Sequence, residues 1–211
     1  MSDGDSNVTI ATGSARALLD TGTSYTEFPT DVLSAILDQI GASVSEDDSG
    51  YSTYTAKCSS LRDRTFTFDF MGYELTVPVS GFIVDKSGSK CTLGFDISDT
   101  DTDYTFGDSF LSNVYFVADL DDNEIAIGLA DTESTSEDLE AITDSVPSAT
   151  PAPEYSSSQS VTGLELETGL SSGYDHRAKV KSSGAVANVK PSLANYLICF
   201  VVFVASLGLL I

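Results

Sequence analysis

Residues 17–24 carry the clearest arrangement of groups that could do chemistry. They read Ala-Leu-Leu-Asp-Thr-Gly-Thr-Ser, so that an apolar strand ends at Asp20 and is followed by hydroxyl residues and a glycine. An apolar strand would carry the carboxylate into a poorly hydrated place, Gly22 would let another chain approach closely, and the hydroxyls of Thr21 and Thr23 could hydrogen-bond neighbouring groups. The pattern indicates a catalytic carboxylate, although an Asp at a strand end is also a common turn residue.

A second Asp-Ser/Thr-Gly triplet in the chain serves as a comparison. Asp48-Ser49-Gly50 has the same residue types, but it follows the polar residues 45–47 instead of an apolar strand. Small polar residues and glycine in such a setting are typical of a solvated turn. The apolar strand before Asp20, rather than the triplet itself, therefore makes Asp20 the candidate.

Metal and histidine chemistry have little support in this sequence. Asp99, Asp101 and Asp103 alternate as in a calcium-binding loop, but no glycine stands at the required place and no bidentate glutamate follows, which favours a solvated loop. His176 is the only histidine, so this chain offers neither a Ser-His-Asp triad nor a His-rich zinc site. We expect no metal ion and no cofactor.

Composition limits the class of partner. The chain has 211 residues, with 32 Asp and Glu against 10 Lys and Arg, for a formal net charge of −22. A protein that binds nucleic acid needs a basic face to neutralise phosphates, so we expect no nucleic-acid partner. Hydrophobic residues make up 41% and aromatic residues 9% of the chain, which is enough to build a buried core.

The elements that position Asp20 are mostly predicted strands. Between residues 15 and 130, short apolar or alternating runs are separated by clusters of Gly, Asn and Asp, which predicts an all-β fold. Residues 29–40 differ, because their apolar side chains recur at helical spacing and Gly41 follows, which predicts a helix of about three turns. A helical turn is predicted at 108–113. The predicted strands include residues 17–19, 66–70, 73–79, 114–117 and 125–127.

The regular pattern stops after Ala130. Twelve of the thirty residues 131–160 are Ser or Thr, and prolines and acids accompany them. Such a segment buries too little apolar surface to offset its chain entropy. We therefore predict a folded lobe at residues 1–130 and an acidic, disordered, Ser/Thr-rich stalk at 131–183.

The C-terminal segment predicts attachment to a membrane. Residues 196–211 contain no charged side chain, but sixteen residues span about 24 Å as a helix, short of the ~30 Å hydrocarbon core. Small residues, a polar spacer and this tail fit a GPI-attachment signal at 184–211, with Ser183 as the attachment site. Ser182 and Gly184 are alternative sites, and a tail-anchored helix or a buried core helix are alternative roles for the tail.

Three cysteines and one sequon bear on the compartment. Cys199 lies in the predicted tail, so Cys58 and Cys91 would remain, either as one disulfide in an oxidising compartment or as two buried thiols. Asn7 begins an N-glycosylation sequon, which fits a secreted protein. Residues 1–6 lack the basic and apolar regions of a secretory signal, so we expect this chain to be the C-terminal part of a longer precursor.

Together these motifs resemble the C-terminal lobe of the pepsin-like aspartic proteases. The combination is more specific than any one motif, because five features occur in the order and at the spacing of that family. The features, all within residues 14–130, are the second active-site motif at 17–24, the helix at 29–40, Cys58 and Cys91 at the place of the lobe's disulfide, the apolar-Gly-Asp loop at 104–111, and the closing hairpin at 114–128.

The resemblance implies an aspartic endopeptidase with two lobes, each of which contributes one Asp to a shared water molecule. Two carboxylates that close hold one proton between them and activate the water for attack on a peptide carbonyl. Asp20 would be one member, and the N-terminal lobe of the same precursor would bring the other. The implied roles are lobe locking for Thr21, substrate binding for Gly22 and Thr23, hydrogen bonding of Thr23 to the Asp20 carboxylate, and an active-site loop containing Phe106 and Gly107.

The predicted stalk and GPI signal extend the resemblance to the fungal yapsins and the anchored members of the candidapepsin group. This implies a secreted protein at the cell surface, anchored to the plasma membrane or cell wall, that acts on peptides or proteins. We do not expect hydrolysis by the chain alone, because Asp20 has no partner carboxylate. The alternative from another class is a non-catalytic surface or cell-wall binding module that keeps the protease lobe as a scaffold.

Overall fold

Most of the chain is described in the computed structural model of the protein. The described residues are 6–100, 103–122, 124–135, 141–143, 145–156, 161–167, 197–200 and 204–207. They form mainly short strands, with three helices of which the longest has 11 residues, so the predicted all-β fold is confirmed.

The elements follow one another in a strand-rich order. The helices are α1 (Thr30–Ile40), α2 (Cys58–Leu61) and α3 (Asp108–Leu111), and a 3₁₀ turn covers Val79–Phe82. The strands are β1 (Ser6–Thr9), β2 (Ala11–Leu19), β3 (Thr26–Phe28), β4 (Ser43–Glu46), β5 (Ser52–Lys57), β6 (Thr65–Phe70), β7 (Tyr73–Pro78), β8 (Ile83–Ser87), β9 (Lys90–Leu93), β10 (Phe95–Ile97), β11 (Asp103–Phe106), β12 (Val114–Asp119), β13 (Glu124–Leu129), β14 (Gly163–Leu166), β15 (Leu197–Phe200) and β16 (Val204–Leu207).

Helix α1 confirms the helix predicted after the motif. Its C-terminal cap is Gly41, which adopts a left-handed backbone with φ of 65° and donates its N–H to the carbonyl of Asp38 at 3.3 Å. The apolar residues at helical spacing all face the core, because each is at most 2% exposed: Val32, Leu33, Ile36, Leu37 and Ile40.

The central sheet has the strand order β10-β3-β11-β2-β14, and β15 also pairs with β2. Strand β11 runs parallel to β2, with Phe106 opposite Leu19. Parallel strands end at the same edge of a sheet, so the residue after β2 and the residue after β11 become neighbours. These residues are Asp20 and Gly107.

The remaining strands form smaller sheets around this one. The order is β4-β5-β9-β8 in one sheet, β1-β16-β6-β7 in a second, and β12-β13 in a hairpin. A disulfide joins Cys58 at the start of α2 to Cys91 in β9, with their Cα atoms 5.1 Å apart. Of the two alternatives left by the sequence, the disulfide is therefore the one found.

An aromatic cluster holds the loop after β11 against the core. The ring centroid of Phe106 lies 4.1 Å from that of Phe110 in α3 and 5.2 Å from that of Phe68 in β6. All three side chains are fully buried. Each ring of this size buries a large apolar surface, so Gly107, which lies between Phe106 and Phe110, is held in place on both sides.

The segment beyond Ala130 contains strands within the described residues. Strand β14 lies inside the range predicted as a stalk, where Leu164 and Leu166 alternate with polar residues and are half-buried. Strands β15 and β16 lie in the predicted tail, and no helix among the described residues is long and apolar enough to cross a membrane. Ser183 and His176 lie outside the described residues, so the GPI signal stays a prediction.

Candidate active site

Asp20 stands at the end of β2, at the edge that β2 shares with β11. Its backbone N–H donates to the carbonyl of Phe106 at 3.0 Å, which continues the parallel pairing by one residue. The side chain is half-buried, whereas Thr21 and Gly22, the next two residues, are exposed. The carboxylate therefore lies at the surface of the lobe with a rigid strand behind it.

The Asp20 carboxylate is held at both of its oxygens by its own motif. The backbone N–H of Gly22 donates to Oδ1 at 2.8 Å, and the hydroxyl of Thr23 donates to Oδ2 at 2.7 Å. Each carboxylate oxygen can accept more than one hydrogen bond, so both oxygens can still bind a further ligand. A carboxylate fixed in this way can accept a proton from a bound molecule without first reorienting.

Gly107 allows the loop after β11 to pass directly against the motif. A Cβ atom on Gly107 would overlap the carbonyl oxygens of Thr23 and Tyr25, so only glycine fits there. Its neighbour Asp108 donates its backbone N–H to the carbonyl of Thr23 at 2.8 Å. The two loops are thereby tied together immediately beside Asp20.

Two buried hydroxyls, which sequence reasoning missed, support this contact from the core side. The hydroxyls of Thr26 and Ser109 lie 2.7 Å apart, and that of Ser109 also donates to the carbonyl of Gly94 at 2.8 Å. The backbone N–H of Ser109 donates to the carbonyl of Ser24 at 3.1 Å. Because Thr26 and Ser109 are at most 5% exposed, this network joins the motif to α3 in a place closed to solvent.

Acidic residues lie beside the motif on the central strands. Glu27 of β3 is directly opposite Asp96 of β10 and Thr105 of β11. Burial is the main cause that raises the pKa of Glu27, the charges of Asp96, Asp99 and Asp20 raise it further, and a hydrogen bond from Thr105 opposes them. Burial also raises the pKa of Asp96. In the sequence, the half-buried Glu27 could have been recognised as the charged residue in the middle of the short strand Thr-Glu-Phe, whose other two residues are buried.

The other predicted site residues are distributed as follows. Phe106 and Gly107 are buried directly beneath the motif, and Asn7 is exposed on β1. Asp103 forms an ion pair with Arg16 at 2.7 Å, in place of the solvated loop position expected for it. Among the described residues, no group of three or more His, Cys, Asp or Glu side chains has the arrangement of a metal site.

Comparison with known proteins adds to this geometry. Aspartic proteinase 3 of Saccharomyces cerevisiae is 42% identical over 166 residues, which are 79% of this chain and 28% of that protein. Yapsin-3 of the same organism is 36% identical over 155 residues, 73% of this chain and 30% of that protein. Secreted aspartic protease 1 of Candida albicans is 34% identical over 121 residues, 54% of this chain and 30% of that protein.

These relatives share only part of their length with this chain, which spans less than a third of each. The family model for eukaryotic aspartyl proteases matches residues 2–131. That range contains the Asp20 motif, the Gly107 loop and the disulfide. The chain belongs to the eukaryotic aspartyl protease family.

Proposed function

We propose that this chain is the C-terminal catalytic half of an aspartic endopeptidase, in which Asp20 is one member of a carboxylate dyad. The observation that carries the proposal is the carboxylate of Asp20, which is hydrogen-bonded at both oxygens by its own motif and has the Gly107 loop threaded beside it. The second carboxylate comes from an N-terminal lobe of the same precursor.

The dyad activates water because two carboxylates close together share a single proton. The unprotonated carboxylate takes a proton from the water, the water oxygen bonds to the peptide carbonyl carbon, and the proton held by the other carboxyl passes to the carbonyl oxygen. Collapse of this diol breaks the C–N bond and returns a proton to the leaving amine. The proton belongs to the pair, so neither carboxyl is assigned as the fixed acid.

The residues around Asp20 have supporting roles in this proposal. Thr23 and Gly22 hold the carboxylate plane and contact the substrate backbone, which runs over the exposed side of the motif. Thr21, which is exposed next to Asp20, contacts the N-terminal lobe and locks the two lobes together. Phe106 and Gly107 form the loop that keeps the motif in position.

Activity of the complete precursor tests this assignment. The coding sequence upstream of this chain should contain a second Asp-Ser/Thr-Gly triplet after an apolar strand, and the protein that contains both should cleave a peptide library at acid pH. Asp20→Asn should lower kcat/KM by about 10²–10⁴-fold or more, because it removes an acid–base group. Asp48→Asn is the matched control, since Asp48 begins the same type of triplet in an exposed turn.

Two results would reject the protease assignment. One is equal activity of the Asp20→Asn variant and the Asp48→Asn control. The other is an upstream sequence without the second triplet, which would favour the non-catalytic surface or cell-wall binding module. A module of that kind should bind cell-wall material equally well before and after the Asp20→Asn change.

We further propose that the protein is carried to the cell surface and held there by a GPI anchor at Ser183. The support is the disulfide, the exposed sequon residue Asn7, and the small-residue, spacer and apolar-tail order of residues 183–211. The segment between the lobe and Ser183 then acts as a stalk. Treatment of cells with a phosphatidylinositol-specific phospholipase should release the protein, whereas retention on the cells would contradict the anchor.

A further inference from the structure

Residues 162–167, called the strap below, lie alongside the first half of the strand that ends before Asp20. Within the strap, β14 pairs antiparallel with β2, from Gly163 opposite Ser14 to Leu166 opposite Ala11. The backbone N–H of Glu167 donates to the carbonyl of Ile10 at 3.1 Å. The pairing therefore continues one residue beyond β14.

A reciprocal pair of side chains fixes the start of the strap. The N–H of Thr162 donates to the hydroxyl of Ser14 at 2.8 Å, the N–H of Ser14 donates to the hydroxyl of Thr162 at 3.2 Å, and the two hydroxyls lie 3.0 Å apart. Ser14 is fully buried. A buried serine without these partners would lose its hydrogen bonds to water and make none in their place. The strap therefore supplies the hydrogen bonds that allow a serine to be buried at position 14.

Gly13 is a second residue of β2 that is suited to contact with the strap. It sits within β2 at a φ of +100°, and a Cβ atom there would overlap the carbonyl of Gly163. Glycine in a strand interior normally weakens it, and often marks a place where another backbone approaches closely. The backbone that approaches Gly13 is that of the strap.

The segment before the strap also contacts the folded lobe. The N–H of Glu154 donates to the carbonyl of Met71 at 2.8 Å, at the turn between β6 and β7. A Cβ atom on Gly72 would lie 3.0 Å from Cγ of Glu154, which is closer than an ordinary contact. Within the strap, the partly buried Leu164 and Leu166 pack against the core. The chain therefore returns to the lobe at residue 154 and again along β2.

Similarity to two of the relatives is longer than the range of the family match. The family match covers residues 2–131, which is 130 residues, whereas yapsin-3 matches over 155 residues and aspartic proteinase 3 over 166. Similarity to these two relatives therefore continues past the family match. Secreted aspartic protease 1 matches over only 121 residues.

We propose that the strap is an integral edge strand of the lobe, which clamps the strand that ends at Asp20 and extends the folded unit to Glu167. Uncovered, residues 11–14 of β2 would present free backbone groups at a sheet edge, a known template for unwanted pairing. The spacer toward the membrane then begins after Glu167 instead of at residue 131. The strap would have this role whether or not the protein is a protease.

Hydrogen exchange of the full chain, followed by mass spectrometry, tests the strap. Amides 163–166 should exchange at least about 100-fold more slowly than in an unstructured chain, and amides 11–14 should be similarly protected. Thr162→Val removes the hydroxyl that Ser14 needs and should speed exchange in both segments by about tenfold. Thr150→Val is the matched control, because Thr150 is an exposed threonine of the same segment.

A glycine substitution gives a second, independent measurement. Gly13→Ala should release the strap because of the overlap with Gly163, whereas Gly88→Ala, at a positive φ of 60° with nothing near its Cβ, should leave strap exchange unchanged. Exchange of 163–166 at the unstructured rate in the unmodified chain would overturn the proposal. Equal effects of Thr162→Val and Thr150→Val would also overturn it, and neither readout depends on proteolytic activity.

Discussion

Replacing Gly107 by alanine tests the packing beneath Asp20 with one added carbon. Gly107 has an ordinary negative φ, of −86°, so the substitution introduces no backbone strain of its own. The added Cβ would overlap the carbonyl oxygens of Thr23 and Tyr25. Both are backbone atoms, so neither can rotate away, and the motif loop and the β11 loop must separate.

The size of the effect follows from the contacts that this separation would break. Relief of the overlap requires a shift of about 1 Å, and overpacking of this kind costs about 1–3 kcal/mol. The shift lengthens the hydrogen bonds from Asp108 to Thr23, now 2.8 Å, and from Ser109 to Ser24, now 3.1 Å. Each contributes about 0.5–1.5 kcal/mol. We expect Gly107→Ala to lower the free energy of unfolding by about 2–6 kcal/mol.

Urea unfolding measures this loss, and Gly128→Ala is the matched control. Gly128 lies in β13 with nothing within 4 Å of a Cβ atom, so its substitution should change stability by less than about 0.5 kcal/mol. In hydrogen exchange, the amides of Asp108 and Ser109 should lose protection, while those of β5 should not. Similar unfolding midpoints and exchange for the two variants would refute the threading of the β11 loop beside Asp20.

Two further predictions concern the disulfide and a buried acid. Replacing both Cys58 and Cys91 by Ala should lower the free energy of unfolding by about 3.7 kcal/mol, the chain-entropy value for a separation of 33 residues. The urea m-value should rise, because the unfolded chain expands without the disulfide. An unchanged m-value would contradict an effect on the unfolded chain. Burial raises the pKa of Glu27 above its ordinary 4.5, so its ionisation destabilises the fold as pH rises through the raised pKa. In thermal unfolding, Glu27→Gln should therefore be more stable than the unmodified protein at pH 7, and this difference in stability should vanish below pH 4.5. An equal gain in stability at both pH values would show that ionisation of Glu27 is not its cause.

Local pattern in the sequence was enough to predict the elements that contribute most to the core. The helical spacing between Val32 and Ile40 predicted α1, and the alternation of Phe66, Phe68 and Phe70 predicted β6, whose phenylalanines are all at most 3% exposed. Strands β4 and β8 escaped prediction because most of their side chains are exposed and polar, so no apolar alternation marks them.

The parts of the site that escaped prediction depend on contacts between residues far apart in the chain. The pairing of β2 with β11 joins segments separated by 87 residues, as the hydrogen bond between Arg16 and Asp103 illustrates. No local pattern in the sequence indicates that Ser109 would reach Thr26 and Gly94. The strap left two local signals. One is the apolar alternation of Leu164 and Leu166, which is compatible with a brief amphipathic element. The other is the glycine at position 13 inside an otherwise regular strand, whose meaning depends on the approach of Gly163.

The arrangement of acids bears on the proposal that the partner carboxylate of Asp20 comes from outside this lobe. Glu27 on β3, which β11 separates from β2, has a charge that interacts with Asp20, but its carboxyl accepts a hydrogen bond from Thr105 and its backbone pairs with strands on both sides. Bringing Glu27 to Asp20 would break the pairing of β3 with both of its neighbours. In the proposed dyad, the second carboxylate would therefore approach from the exposed side of the motif, at Thr21 and Gly22.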